Sequence, residues 1–159
     1  MAVETLSATK RGNNTAAGHG LAGNVKVLVA TGEMPAAASA TSVIDFGAIP
    51  NGARILPQST VYWDDLASTG SPTLDIGLFA INSNITSDDD AFRADLDVAA
   101  SASNAALVSD IANYGKRAWE FVSGQSSAPQ GDLAVKGTIK DAAVNTGGTI
   151  TLVLYYTVD

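Results

Sequence analysis

The chain has 159 residues, a formal net charge of −7 at pH 7 and no cysteine. Its length suits one domain with a sizeable core, and its low share of charged residues, 16%, disfavours a helix bundle. The acidic balance argues against direct binding to nucleic acid, and the absence of cysteine excludes disulfides, thiolate zinc sites and cysteine nucleophiles.

The N-terminal segment, residues 1–23, has no helical or strand periodicity and is rich in Ala, Asn, Thr and Gly. We predict that it forms an extended arm and that residues 24–159 form a single β-sandwich domain, although a disordered tail explains the composition of the arm equally well. Leu6, His19 and Leu21 are side chains with which such an arm would dock. Because no apolar run resembles a signal peptide or a membrane span, we expect a soluble protein made in the cytoplasm, with no membrane partner.

Four strands are predicted in the first half of the domain, from apolar residues that alternate with polar ones. They cover residues 24–30, 43–49, 54–64 and 73–81. Residues 50–52, Pro-Asn-Gly, form a turn sequence after the second strand. Pro57 lies within the third strand, which predicts an edge position, a bulge or a split strand there.

The middle segment, residues 82–114, differs in composition from the strands before it. It contains an acidic run at residues 88–90, followed by Ala-rich sequence. Leu107, Val108 and Ile111 have the spacing of one helical face. We therefore predict a short helical insertion in this segment.

Strands are predicted again at residues 117–123 and 132–140, and residues 147–158 contain a turn followed by the last strand. In the last two, apolar residues alternate with Thr and Lys, so we predict a closing hairpin with one solvated face. About seven strands without long helices make the chain all-β. The expected fold is an antiparallel β-sandwich or a jelly-roll-like barrel.

Residues suited to covalent or acid–base chemistry are scarce. His19 is the only histidine, so no multi-histidine metal centre forms within one chain, and its position between Gly18 and Gly20 argues against a catalytic role. Residues 18–23 match G-x-G-x-x-G, but the dinucleotide-binding fingerprint follows a strand, whereas this run precedes one. We therefore predict no catalytic residue and no cofactor.

Two groups of carboxylates call for comparison with known kinds of site. Asp88, Asp89 and Asp90 offer oxygen ligands for calcium, but the glycine and the bidentate glutamate of an EF-hand loop are missing. A solvated acidic loop or a helix N-cap is the simpler interpretation, so no metal site is predicted, and cation binding by the run stays open. Asp64 and Asp65 suggest a glycosidase pair, but adjacent residues of a strand point to opposite faces.

Aromatic residues near the predicted strands are candidates for a carbohydrate-binding face. They are Tyr62, Trp63, Trp119, Tyr155 and Tyr156. In a sandwich of this size, packing in the core or between subunits is the better interpretation.

Several segments resemble the small head-decoration, or capsid cement, proteins of tailed bacteriophages. They are Gly18-His19-Gly20-Leu21-Ala22-Gly23 in the arm, the strand from Val25 to Val29, Ile49-Pro50-Asn51-Gly52-Ala53-Arg54-Ile55, Thr73-Leu74-Asp75-Ile76-Gly77-Leu78-Phe79 and Gly148-Thr149-Ile150-Thr151-Leu152. The fourth segment is similar to the strand that precedes a variable acidic loop in such virion proteins, and the fifth to their closing strand. The resemblance covers most of the chain.

The resemblance implies a structural virion protein without catalysis, which binds the outer surface of an assembled capsid and stabilises contacts between capsomers. It also implies the major capsid protein as partner and, commonly, a homotrimer. The candidate contact residues are Lys10, Arg11, His19 and Leu21 for a capsid-binding arm, and Val153 and Tyr155 for the contact between subunits.

A carbohydrate- or receptor-binding β-module of a phage fibre or host-recognition protein is the alternative. Such a module would use exposed aromatic residues, or the acidic run at residues 88–90 with calcium. A hydrolase would depend on Asp64, Asp65 or His19 and is the least favoured class.

Overall fold

Two packed β-sheets make up the protein in a computed structural model that describes residues 5–7, 9–11, 24–67, 69–81, 85–99 and 101–158. The strands are β1 (Thr5–Ser7), β2 (Thr9–Arg11), β3 (Lys26–Met34), β4 (Val43–Pro50), β5 (Arg54–Ile55), β6 (Thr60–Trp63), β7 (Thr73–Ala80), β8 (Asp88–Asp97), β9 (Ser103–Ala106), β10 (Asp132–Lys140) and β11 (Gly148–Thr157). Within the described ranges, two 3-10 helices, Ile111–Asn113 and Ala118–Phe121, lie between β9 and β10. Neither is long and apolar enough to cross a membrane.

Sheet A has the strand order β1-β4-β10-β7-β8, and sheet B has the order β2-β3-β11-β6-β9, with β5 paired to the end of β11. Neighbouring strands are antiparallel except β1, which runs parallel to β4. This arrangement confirms the predicted all-β sandwich. The two sheets do not close into a barrel.

The core lies between the sheets and is built from the inward phase of the strands. Ile150, Leu152 and Leu154 of β11 have no exposed surface, as the alternation of that strand predicts. Phe46 of β4 is also fully buried, and it fills the space beside Gly137 of β10, where a Cβ would lie 3.0 Å from the Phe46 ring. Burial of each such large apolar side chain contributes about 1.5–3 kcal/mol, so this shared interior is the main source of stability.

The predicted turns lie where proline interrupts the strands. Strand β4 ends at Pro50, whose carbonyl accepts the Ala53 N–H at 3.0 Å. Pro57 lies in the gap that divides the third predicted strand into β5 and β6. A turn fills this gap and is closed by the Ser59 N–H, which donates to the Leu56 carbonyl at 3.1 Å.

The helical insertion predicted for residues 82–114 is wrong in its main part. The acidic run opens strand β8, and strand β9 follows it. Leu107 and Val108 are buried, but Ile111, the third residue of the supposed helical face, is 79% exposed. In the described part of the segment, the helical structure is a single 3-10 turn. The prediction was wrong because three apolar positions are too few to distinguish a helical face from a buried turn.

Two predictions for the C-terminal part are also wrong. The strand expected at residues 117–123 is a 3-10 helix, in which the Glu120 carboxylate accepts the Arg117 N–H at 2.6 Å. The expected closing hairpin does not form, because β10 lies between β4 and β7 in sheet A while β11 lies between β3 and β6 in sheet B. Alternation defines which side chains face inward, but it does not select the neighbouring strand.

The register defines two ends of the sandwich, which we call the upper and the lower end. The upper end carries the connections β3–β4, β6–β7 and β10–β11, and the lower end carries β4–β5, β7–β8 and β9–β10. Main-chain hydrogen bonds join the connections at each end. The Thr41 N–H donates to the Ile139 carbonyl at the upper end, and the Ala118 N–H donates to the Ala53 carbonyl at the lower end, both at 2.7 Å.

Strand β8 is irregular and arches over the outer face of sheet A. It takes five residue steps from Asp88 to Arg93, while its partner β7 takes two. Gly77 of β7 lies beneath this arch, and a Cβ there would overlap the Asp88 carbonyl oxygen and the Asp89 main chain. Glycine at this position therefore allows the acidic run to cross the sheet.

We expect Gly77→Ala to lower the free energy of unfolding by about 3 kcal/mol, because the added methyl group overlaps main-chain atoms of the arch. Urea denaturation at neutral pH measures the change. Gly52→Ala is the matched control, since a Cβ at Gly52 meets nothing within 4 Å, and its stability should stay within about 0.5 kcal/mol of wild type. Equal stability of the two variants would contradict the close approach at Gly77.

Candidate functional site

The outer face of sheet A carries a network of charged side chains centred on Lys140. The Lys140 ammonium lies 2.6 Å from an Asp89 carboxylate oxygen and 3.7 Å from one of Asp75. Asp75 Oδ1 also accepts the Asp95 N–H at 2.8 Å. Asp75 is only 6% exposed although it is on the outer face, because the arch of β8 lies over it.

The network continues along β10. Lys136 Nζ lies 4.0 Å from Asp45 Oδ2 and 5.2 Å from the centre of the Phe79 ring. Thr138, whose phase predicted a solvated position, is instead 6% exposed and lies opposite Asp75 in the register. The solvated face expected for β10 is wrong at this position, because β8 covers this part of the sheet.

Three groups of the network have shifted pKa values. Burial raises the pKa of Asp75. The hydrogen bond from the Asp95 main chain and the positive charge of Lys140 offset part of this rise. The side-chain hydrogen bond with Asp88 is the main cause that raises the pKa of Asp90, and burial and nearby negative charges add to it. The hydrogen bond to Asp89 raises the pKa of Lys140. The arch therefore disfavours the ionised forms of Asp75 and Asp90 and favours the ionised form of Lys140.

The acidic run has one geometric property of a cation site. Asp88, Asp89 and Asp90 each place a carboxylate oxygen within 4.8 Å of the others. However, Asp89 contacts Lys140, and Asp88 Oδ2 accepts the Ser123 N–H at 2.6 Å. Charged, bulged edge strands also prevent pairing with another sheet, so these carboxylates have a structural explanation without a metal.

Asp64 and Asp65 have separate structural partners. Asp64 Oδ2 accepts the Thr149 hydroxyl at 2.6 Å and the Thr149 N–H at 2.8 Å, and these hydrogen bonds lower the pKa of Asp64. Asp65 Oδ1 accepts the Ala67 N–H at 3.2 Å. Each carboxylate therefore fixes main chain at the upper end, which explains both residues without the paired arrangement of a glycosidase.

The outer face of sheet B differs from that of sheet A. Val153 and Tyr155 of β11 lie there, half-buried, opposite Val29 and Val27 of β3. Between the two ends, the outward positions of β3, β6 and β11 carry Val, Thr and Tyr, and the first charge is Glu33 at the upper end. Arg11 of β2 is paired with Val29 at the edge of this face, so the uncharged stretch covers β3, β6 and β11. The two residues predicted for a subunit contact thus lie side by side on that stretch.

The aromatic residues weighed for carbohydrate binding do not form one exposed platform. Trp63 is 8% exposed, and Trp119 and Tyr156 pack against the core. Tyr62 is 45% exposed and Tyr155 half-buried, and both lie on the outer face of sheet B. This distribution supports the packing interpretation.

Two stretches of the predicted arm form strands at one edge of the sandwich. Strand β1 pairs with β4 of sheet A, and strand β2 pairs with β3 of sheet B. Lys10 and Arg11 lie in β2. His19 and Leu21 lie outside the described residues. The arm and its four contact residues therefore stay a prediction.

A loop at the lower end was not recognised from the sequence. Ile111 is 79% exposed in it and Tyr114 is 43% exposed. A cleft of about 200 Å³ lies at the same end and is lined by Asn51, Gly52, Arg117, Trp119, Ala128 and Val158. The turn-forming residues Asp110 and Gly115 on either side of Ile111 were the available signal for an exposed turn.

No protein-family model matches the chain, and no curated protein matches it. In fold it is similar to a chain of the cyanophage Pam1 capsid asymmetric unit, with a TM-score of 0.55 and 21% identity, covering 89% of this chain and 90% of that chain. It is also similar to a chain of the capsid of Ralstonia phage GP4, with a TM-score of 0.52 and 17% identity, covering 87% of each chain. At these identities the comparisons establish a shared fold.

We expect Asp90→Asn to raise the free energy of unfolding at pH 7, by no more than about 1 kcal/mol because solvent screens this exposed position. The raised pKa means that the folded state holds the Asp90 proton more tightly than the unfolded chain does. Ionised Asp90 therefore opposes folding above its folded pKa, and this penalty disappears once the pH falls below the ordinary aspartate range. Urea denaturation should show the gain at pH 7 and none at pH 3.

Asp132→Asn is the control for this prediction, because it removes an exposed carboxylate that lies outside the cluster. Its gain at pH 7 should be smaller than that of Asp90→Asn. A gain for Asp90→Asn that persists at pH 3 would show that charge repulsion is not its cause.

Proposed function

We propose that the chain is a structural protein of a bacteriophage virion, which binds the outer surface of the assembled capsid and stabilises contacts between capsomers without catalysis. The observation that carries this proposal is the fold shared with chains of two phage capsid structures, over 87% or more of every chain compared. Because the likeness spans the whole sandwich, it is not the chance match of one hairpin. In this proposal the partner is the major capsid protein.

The bonding of the carboxylates supports a structural role. Asp64, Asp65 and Asp88 each accept a main-chain N–H, and Asp89 forms an ion pair with Lys140. These contacts hold connections and strand edges in place. The chemistry of these residues is therefore used in maintaining the sandwich.

We further propose that residues 1–23 include the arm that contacts the shell, with Lys10, Arg11, His19 and Leu21 as its contact residues. Strands β1 and β2 hold this part of the chain at one edge of the sandwich, so the arm would contact the shell from that edge. Lys10 and Arg11 would pair with carboxylates of the shell. Because β1 and β2 pair with different sheets, a force on the arm would be distributed over both.

We also propose that the protein is a homotrimer, with Val153 and Tyr155 in the contact between subunits. The outer face of sheet B supports this, because Val27, Val29 and Tyr62 extend the apolar surface around these two residues on β3, β6 and β11. Three linked copies would present three shell contacts at once. Linked contacts multiply a modest affinity, which suits a protein that holds many capsomers together against internal pressure.

We expect the purified protein to bind heads of the source phage that were assembled without it. It should co-sediment with them to a saturating ratio and raise the temperature at which they release DNA. Binding should persist in EDTA, because the proposed contact uses no cation. Binding to glycans without binding to heads would overturn the proposal in favour of a carbohydrate- or receptor-binding module.

Charge reversal tests the arm residues within the same assay. Lys10→Glu and Arg11→Glu should each weaken head binding about tenfold or more, because they place a negative charge against shell carboxylates. Arg93→Glu is the matched control, since it makes the same change in β8, at the edge of the other sheet. Equal binding by all three variants would remove Lys10 and Arg11 from the proposed contact.

Tyr155→Lys should convert the trimer into a monomer, because a lysine ammonium in an apolar contact loses its hydration without gaining a partner. Multi-angle light scattering measures the change as a drop from the mass of three chains to that of one. Ala48→Lys adds the same charge at an exposed position of β4 in sheet A and should leave the trimer intact. A wild-type monomer would contradict the proposed assembly.

A further inference from the structure

Two large apolar side chains are exposed in one turn at the lower end of the sandwich. Ile111 is 79% exposed, and Tyr114, three residues later, is 43% exposed. The turn belongs to residues 110–117, which we call the Ile111 loop. Single exposed apolar residues are common on protein surfaces, so further observations must decide whether this pair has a function.

The Ile111 loop is held in shape from both sides. At its start, Asp110 Oδ1 accepts the Ala112 N–H at 2.9 Å and caps the 3-10 turn. Near its end, Arg54 Nη1 of β5 donates to the Gly115 carbonyl at 2.6 Å. Because these contacts fix the turn before any partner arrives, little conformational entropy is lost when Ile111 is buried in a contact.

Cationic side chains lie beside the two apolar ones. Lys116 Nζ donates to Asn113 Oδ1 at 2.7 Å within the loop. Arg54 and Arg117 form a main-chain bridge at its base and so lie directly opposite each other. Arginine, tyrosine and tryptophan are the residues that most often dominate the energy of protein–protein contacts, and Trp119 lines the cleft next to Arg117.

The two ends of the sandwich differ in charge. The exposed carboxylates at the upper end are those of Glu33, Asp64, Asp65, Asp97 and Asp141. Among the described residues at that end, Lys140 supplies the positive charge, and it contacts Asp89 and Asp75. The cations at the lower end are Lys26, Arg54, Lys116 and Arg117.

The register also places Asp88 and Asp132 at the lower end, together with Asp110 and Glu120. Asp88, Asp110 and Glu120 each accept a main-chain N–H. In a chain of net charge −7, the cations at the lower end offset these carboxylates, so a negatively charged surface approaches this end against less repulsion than the upper end.

We propose that the Ile111 loop inserts into an apolar depression rimmed by carboxylates on the surface of a different protein. Ile111 and Tyr114 fill the depression, while Arg54 and Lys116 face the carboxylates. The identity of the partner rests on the proposed function, which makes it the outer surface of the major capsid protein. The sandwich then meets the shell with its lower end, and the acidic upper end points to solvent.

Variants of the full chain in the head-binding assay test this contact. Ile111→Ser should weaken binding about tenfold or more, because it removes the apolar side chain that the partner buries. Lys116→Glu should weaken binding strongly at low salt and less at high salt, because its contribution is electrostatic. Ile81→Ser is the matched control, since Ile81 is 56% exposed in the β7–β8 connection at the same end but outside the loop, and it should weaken binding less than Ile111→Ser does.

The outcomes separate this inference from the proposed function. If wild type binds and both loop variants bind equally well, the loop contact is wrong and the proposed function stands. If wild type does not bind heads, both are wrong. If Ile111→Ser changes the number of chains per particle in light scattering and leaves head binding unchanged, the loop contacts a second copy and the inference is overturned. Thermal unfolding at the wild-type temperature confirms that each variant is folded.

Discussion

The core between the two layers, to which the central strands β10 and β11 both contribute, is the interaction on which the rest of the structure depends. Each strand is central in its own sheet and pairs along both edges, β10 with β4 and β7, and β11 with β3 and β6. Their inward residues, such as Val135 and Ile139 in β10 and Ile150 and Leu152 in β11, are fully buried in one cluster. Because packed sheets lie about 10 Å apart, these side chains fill the interlayer space and set the position of every strand paired beside them.

Because the inward faces of both sheets are buried in the core, partners contact the outer surface of the sandwich. The outer faces of sheet A and sheet B differ. Sheet A is covered by the arch of β8, where Lys140 offsets part of the charge of Asp75 and Asp89. On sheet B, the outward positions of β3, β6 and β11 around Val153 and Tyr155 carry no charge, and Arg11 of β2 borders them. A charged, bulged edge keeps other strands away, whereas an uncharged face loses little solvation when a second copy covers it. The sandwich therefore has one side suited to solvent and one side suited to contact.

The candidate surfaces could be predicted from the sequence only in part. Val153 and Tyr155 were placed correctly on the outer phase of β11, because alternation along a strand is a local property. Ile111 was misassigned to a buried helical face, since its spacing from Leu107 suggested burial and the structure leaves it 79% exposed. Its position depends on Arg54, which holds the loop at Gly115 from a distant part of the chain. Arg54 and Gly115 are 61 residues apart, so the local sequence around Ile111 does not reveal this contact.

The sequence by itself determined which side chains of β11 are buried, because successive residues of a strand point to opposite faces whatever strand lies alongside. It also determined where proline interrupts the chain, at Pro50 and Pro57. Only the tertiary structure decided that β10 and β11 belong to different sheets, since a hairpin would satisfy the same alternation. The tertiary structure also decided that the acidic run crosses over Gly77. That crossing depends on the irregular register between β7 and β8, and a register is a property of two paired strands and not of either sequence alone.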